Sequence, residues 1–522
     1  MGDPPCGRAG RSAPQTMNIK EAKEEIKHTL LAYNKKDSRG HYTFPKLRQR
    51  PVLLMGPPGI GKTAIMEQVA EECNVGLVAY TITHHTRQSA VGLPRIVTRC
   101  YNGKETGITE YTLSEIIASV YDCMERTGKK EGILFIDEIN CVSETLAPTM
   151  LQFLQNKTFG SHSVPEGWLI AAAGNPPEYN KSVREFDIVT LDRVRRMDIE
   201  ADLDVWMEYA WKKGIHGAIL SYLSMKKEHF YSVENTADGK FFVTARGWED
   251  LSEILKAYEE LGVEITENLI SEYLCRDEIA RSFFAGYQLY RKYGTDYGLD
   301  RMLSGTMQED ERIQREKMAQ EASFEERFLV TGLLLDGLNG KFLIYEKTDR
   351  ETEMVYQELL HLKTFLSDSR DISALDEFID VKKKSLAVRL EAELLSEEQE
   401  SQEAFVIRTL EKFSLILRKE HMTDVEAGFD RIKELFAEMA EKRKDCAGRI
   451  SQELERAFSF MTDCFGNGQE MILFVTGLTR NSHAAAFIRE YGCDPYFACS
   501  EKLLYRKQEK KLQEECEALL KK

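Results

Sequence analysis

Gly56, Pro57, Pro58, Gly59, Ile60, Gly61, Lys62 and Thr63 are the residues of this chain best suited to chemistry. They satisfy Gly-x-x-x-x-Gly-Lys-[Ser/Thr] at every fixed position. Glycines leave no Cβ in the way, so the backbone can curl around phosphate oxygens. Lys62 is placed to reach the β- and γ-phosphates of a nucleotide, and Thr63 to offer its hydroxyl to Mg²⁺. The helical run that starts at Ala64 turns its N-terminus and its first amides toward the same anion. A second group lies downstream. Gly132-Ile133-Leu134-Phe135-Ile136 is an apolar run closed by Asp137 and Glu138. Asp137 is suited to the Mg²⁺ shell, and Glu138 to orienting and activating an attacking water. Acids often end strands, so the pair is weak by itself. After a complete phosphate loop it reads as the other half of a nucleotide site.

These residues need a scaffold that brings them to one edge. Residues 52–55 and 133–136 are unbroken apolar runs, as expected of strands buried on both faces. Residues 76–82, 168–173 and 196–200 read as three more strands, with helical patterns between them. Strands alternating with helices predict a doubly wound parallel sheet, which binds ligands at the carboxyl ends of its strands. Ile19, Ala22, Ile26 and Leu30 predict a helix before the first strand. Residues 84–111 read as an irregular insertion, including Gln88 and Ser89, of the long kind that carries function. Thr112-Leu113-Ser114-Glu115 reads as a capping box opening a helix with Ile116, Ile117, Val120, Tyr121 and Met124. Residues 145–155 read as a helix, followed by a polar turn at 157–161. Residues 202–300 read as helical, with Trp206, Tyr209 and Ala210 on one face. Residues 304–326 read as a charged linker helix and the remainder as mostly helical. Residues 471–475 suit either a strand or a buried helix start.

The chain has 522 residues, enough for two to four domains. Hydrophobic residues make up 42% and charged residues 30%, an ordinary balance for a soluble cytoplasmic protein. The formal net charge of −16 disfavours a broad nucleic-acid surface. Apolar runs fall short of the ~20 residues of a membrane span, and no secretory signal is expected at the N-terminus. Residues 1–16 read as a disordered extension. Eleven cysteines occur, without a Cys-x-x-Cys pair, which suits free thiols in a reducing compartment. His483, Cys493 and Cys499 lie close in sequence but match no standard zinc spacing. Buried thiols and a helix-surface histidine are the better reading.

Other residues complete the pattern. Ala173-Gly174-Asn175-Pro176-Pro177 follows the fourth strand, where an Asn can hydrogen-bond the γ-phosphate or the attacking water. Leu191-Asp192-Arg193-Val194-Arg195-Arg196 precedes the fifth strand and supplies arginines of the kind that stabilise a transferring phosphoryl group. Thr244-Ala245-Arg246-Gly247 opens a helix with a cation in its first turn, which an anion nearby would offset. With the phosphate loop at 56–63, Asp137-Glu138-Ile139-Asn140, Gly174-Asn175-Pro176, Leu191-Asp192-Arg193 and Arg246 in this order and spacing, residues 17–300 resemble the MoxR family of AAA+ ATPases. The resemblance implies Asn175 as sensor 1, Arg193 as arginine finger and Arg246 as sensor 2. It implies a three-layer core with a five-stranded parallel sheet in the order 5-1-4-3-2. It also implies a helical lid and a six-subunit ring. The usual Leu-Asp-Arg-Phe is here Leu-Asp-Arg-Val-Arg-Arg, so Arg195 and Arg196 also stand as candidates for the finger.

Together these readings divide the chain into four parts. They are the extension 1–16, the nucleotide-binding domain 17–201, the lid 202–303 and a mostly helical region 304–522 of unassigned role. The expected activity is ATP hydrolysis with Mg²⁺. The resemblance adds a chaperone-like role in remodelling or maturing protein complexes, with a protein client and a von Willebrand factor A-type partner. Two rivals share the same core: a nucleic-acid-linked NTPase motor, against which the acidic balance counts, and a nucleotide-dependent regulatory scaffold, against which Glu138 counts.

Overall fold

The computed structural model of the chain describes residues 16–84, 90–101, 104–159, 162–179, 183, 186–236, 239–367, 371–391 and 397–502. They divide into two compact units, Met1–Trp206 with Phe230–Trp248, and Met207–His229 with Glu249–Lys522. Residues 1–15 of the expected extension, and Gln88 and Ser89, lie outside the described residues.

The first unit is built on a five-stranded parallel sheet. In chain order the strands of this unit are β1 (Val52–Met55), β2 (Gly76–Thr81), β3 (Pro94–Tyr101), β4 (Lys104–Tyr111), β5 (Gly132–Asp137), β6 (Thr158–Phe159), β7 (His162–Ser163), β8 (Trp168–Gly174), β9 (Arg195–Asp198), β10 (Ser232–Thr236) and β11 (Gly239–Val243). The main sheet runs β2-β5-β8-β1-β9. Counted among its own five strands, that is the order 5-1-4-3-2. Alternation along each strand makes three layers. Leu53, Leu134, Ile136, Ile170 and Ala172 face the helix Glu115–Thr127 through Ile116, Ile117 and Val120. Val52, Leu54, Ile133, Phe135, Leu169 and Ala171 face the helices Ile19–Tyr33 and Lys62–Glu72 through Ala22, Ile26, Ile65, Met66 and Val69. Gly132 is required at its place: a Cβ there would lie 2.6 Å from the Trp168 ring. Parallel pairing sets Met55 beside Gly174 and Asp198, and Thr81 beside Asp137. The carboxyl ends of the strands therefore share one edge.

Three expectations change in this unit. The insertion is not irregular, because Pro94–Tyr101 and Lys104–Tyr111 pair as an antiparallel ribbon. Its strands lack an apolar face, so burial leaves no pattern to read; Ile96 is 79% exposed. Ser114 is the N-cap of its helix, but its hydroxyl donates to Ala90 O instead of closing a capping box. Ser232–Thr236 and Gly239–Val243, expected to be helical, form the antiparallel pair β10–β11.

The second unit is helical among its described residues. Its longest helix, Phe324–Leu366, has 43 residues and packs Leu334, Leu338 and Phe342 inward. Phe342 meets Phe487, and Phe458 meets Phe474, with ring centroids 5.3 and 5.1 Å apart. One stretch of this helix is long and apolar enough to cross a membrane by length and composition; 56% of that stretch is buried within the protein. The expected linker helix is instead the helix Glu309–Glu321 followed by the start of Phe324–Leu366, broken at Ala322 and Ser323. Residues 471–475 lie in the helix Gln469–Arg480. His483 is not a surface histidine: its side chain is 9% exposed and bonded to the Glu346 carboxylate. The nine described cysteines are all free thiols.

Candidate nucleotide site

The loop from Gly56 to Gly61 leaves β1 at the carboxyl edge of the sheet, and Lys62 opens the helix Lys62–Glu72. Gly59 and Gly61 have φ of +73° and +92°. Those left-handed conformations turn the chain sharply enough to aim successive amides at one point, and they favour glycine. A Cβ at Gly56 would lie 2.7 Å from Ile199 O, so this position also admits only glycine. Ile60 packs into the core at 9% exposure, which anchors the loop from beneath.

Lys62 is buried, and its ammonium donates to Gly56 O at 2.9 Å, Pro57 O at 2.7 Å and Asn175 Oδ1 at 2.9 Å. Burial pushes its pKa down to about 8; Asp137 and Glu138 pull it up, and Arg246 pushes it down. The Thr63 hydroxyl donates to Asp137 Oδ2 at 3.0 Å, across 74 residues of sequence. A hydroxyl and a carboxylate side by side form an oxygen donor pair, which suits a hard cation such as Mg²⁺. Glu138 follows in the left-handed region, with φ +56°. Few non-glycine residues sit there, and those that do cluster at functional sites. Its N–H donates to Asp137 Oδ1 at 2.8 Å, and Ile139 N–H donates to Ala173 O at 2.9 Å. The turn after β5 is thus tied to its own carboxylate and to β8.

Residues 52–193 match the family model of the ATPase family associated with various cellular activities (AAA). The chain carries an AAA domain. No curated protein matches the chain.

The AAA match starts at β1 and ends on Arg193. Arg193 is exposed, and its guanidinium bonds the neutral Gln155 side chain. The other two arginines have acidic partners within the chain: Arg195 pairs with Glu25, and Arg196 with Asp198 at 2.7 Å. Val52 lies opposite Arg195 in the sheet, whereas the phosphate loop leaves β1 after Met55. Arg193 therefore lies at the far end of the strands from the loop, with about 13 Å of strand between them at ~3.3 Å per residue.

Arg246 comes near the AAA site from the C-terminal side. Its N–H donates to Gly59 O at 3.3 Å, and its charge reaches Lys62. The site thus brings together Lys62, Thr63, Asp137, Glu138, Asn175 and Arg246, and leaves Arg193 apart.

Two further residues of this unit have contacts to the site that the sequence reading did not assign. Asn140 is 2% exposed, and its amide donates to Asn175 O at 2.8 Å. A lone Asn just after an acidic pair gives no local sign of that partner. Tyr231 Oη donates to Pro58 O at 3.0 Å. It immediately precedes β10, which lies in a stretch that the sequence reading took as helical.

Proposed function

We propose that this chain is an ATP-binding and ATP-hydrolysing ring ATPase of the MoxR type, which remodels or matures protein complexes. The observation that carries the reading is the Thr63–Asp137 pair at 3.0 Å, beside Lys62 and followed by Glu138. Loop amides and Lys62 would hold the β- and γ-phosphates, and Thr63 with Asp137 would hold Mg²⁺. When bound, the ion neutralises charge on those phosphates. Glu138 accepts the proton of the attacking water, and Asn175 orients that water or the γ-phosphate. Lys62 must release the Asn175 side chain as it turns to phosphate. Arg246 faces the same nucleotide from the Gly59 side. Arg193 lies too far along the sheet to serve its own loop, so it serves the site of a neighbouring copy, in keeping with a homo-oligomeric ring of six. The acidic balance and the free cysteines fit a cytoplasmic protein with a protein client instead of nucleic acid. A von Willebrand factor A-type partner follows from the resemblance.

The test separates binding from turnover. Glu138→Gln keeps the size and hydrogen bonding of the side chain but cannot take the proton. ATP affinity should stay near the parent's, while steady-state phosphate release falls at least ~100-fold. A variant that turns over like its parent would remove Glu138 from its role. A parent that neither binds nor hydrolyses ATP would end the proposal.

A further inference from the structure

Four consecutive carbonyls of the phosphate loop accept hydrogen bonds. Lys62 Nζ supplies Gly56 O and Pro57 O, at 2.9 and 2.7 Å. Tyr231 Oη supplies Pro58 O at 3.0 Å, and Arg246 N–H supplies Gly59 O at 3.3 Å. A loop whose amides converge on an anion turns its carbonyls outward, and each outward carbonyl needs a donor. The first two donors are one ammonium, the same group that must turn to the phosphates. The other two come from Phe230–Trp248, which belongs to the same compact unit as the loop. Contact between the two is close: a Cβ on Gly59 would lie 3.0 Å from Thr244 Cβ. Burial, then the nearby Tyr179, keeps the Tyr231 phenol protonated well beyond the usual range, so it remains a donor at neutral pH.

We propose that Tyr231 is a positioning residue of the nucleotide site: it holds the Pro58 carbonyl, so the loop keeps its anion-ready shape once Lys62 has turned away from Gly56 and Pro57. The inference rests on reading this loop as the nucleotide site. Tyr231 touches no phosphate in this role. Its effect passes through the loop, which grips phosphates common to ATP and ADP. Both nucleotides should therefore lose the same factor when the hydroxyl is removed. A group that faces only the γ-phosphate would penalise ATP alone.

Tyr231→Phe keeps the ring and its packing and removes the donor. Fluorescent ATP and ADP analogues are titrated with Mg²⁺ against the full-length parent and variant. Both Kd values should rise by about 3- to 10-fold, the worth of one neutral hydrogen bond. KM for ATP should rise by a similar factor while kcat stays within about twofold. Amide exchange across residues 56–63 of the nucleotide-bound protein should quicken, with exchange in the helical unit unchanged. A merely structural tyrosine would lower Tm and leave the Kd values alone. Equal Kd values in parent and variant, a loss confined to ATP, or unchanged loop exchange would each overturn the inference while leaving the site itself intact. A parent that binds neither nucleotide would overturn both readings.

Discussion

Asn140 has no reactive group, yet it holds the backbone of the residue expected to sense the γ-phosphate. Its amide nitrogen donates to Asn175 O at 2.8 Å, and its Oδ1 is buried with no hydrogen-bond partner among the described residues. A Cβ on Gly174 would lie 2.6 Å from that oxygen, so glycine at 174 is what lets Asn140 approach. Asn175 in turn accepts from Lys62 through its own side chain. One side chain thus fixes the backbone of Asn175 and leaves its amide group free to change partner. Asn140→Ala should cut kcat for ATP hydrolysis by roughly tenfold, because one buried hydrogen bond is worth ~1 kcal/mol and the orphaned carbonyl costs more. ATP affinity should stay within about twofold, since the phosphate loop is untouched. Comparing single-turnover rates with equilibrium titrations decides it: a loss of affinity with an intact rate would contradict the role.

Among the elements, the helix Ala147–Asn156 ends on a residue that neither helix rules nor burial rules favour. Lys157 is its C-cap, left-handed at φ +57°, where glycine is usual. It is also 3% exposed, and its ammonium donates to Lys46 O at 2.9 Å and Gln49 Oε1 at 3.2 Å. Neither partner is charged. Burial first, then the nearby Lys46, pushes its pKa down to about 7 from an ordinary value of 10.5. The unfolded chain therefore binds more protons than the folded one between these values, and stability rises with pH across that window. Below about pH 7 the cost of burying the charge is fully present. Lys157→Met removes the titrating group while keeping the stem. Relative to the parent, the variant should melt at a higher temperature at pH 6.5 than it does at pH 9. Melting curves of both proteins at the two pH values give the difference, and a difference independent of pH would mean that Lys157 stays charged in the fold.

At the scale of the whole molecule, the proposed ring rests on the location of Arg193. It is exposed beside Ile188 and Val189, which are 85% and 55% exposed. Asp187 caps this short helix and Thr190 is buried, so the two apolar side chains are held outward by a fixed turn. An exposed apolar pair next to an arginine whose guanidinium bonds, among the described residues, the neutral Gln155 side chain suits a surface covered on assembly. Arg193→Ala should leave ATP binding intact and lower hydrolysis by ~10³-fold or more, as arginine fingers do. Mixing Arg193→Ala with Glu138→Gln subunits should restore part of the activity, because some neighbours then pair an intact Glu138 with an intact Arg193. No recovery after demonstrated subunit exchange would count against action between copies. Full activity of Arg193→Ala alone would shift the role to Arg195 or Arg196, although both have acidic partners within the chain.

Much of the site was legible because its parts are encoded by short-range spacing. Gly56 to Thr63 and Asp137-Glu138 each declare their chemistry within a few residues, and unbroken apolar runs mark strands buried on both faces. The order of the five sheet strands came from family resemblance, since local pattern does not say which strands pair. The tertiary structure alone decided the rest. It put Tyr231 on Pro58 across 173 residues and Lys62 on Asn175 across 113. It set Phe230–Trp248 in the same compact unit as the phosphate loop, although helices of the other unit flank that segment in sequence. It paired β3 with β4, whose exposed faces carry no apolar stripe, and it gave two of three neighbouring arginines acidic partners. Backbone carbonyls explain the difference: every residue has one, so sequence cannot show which of them a distant donor will meet.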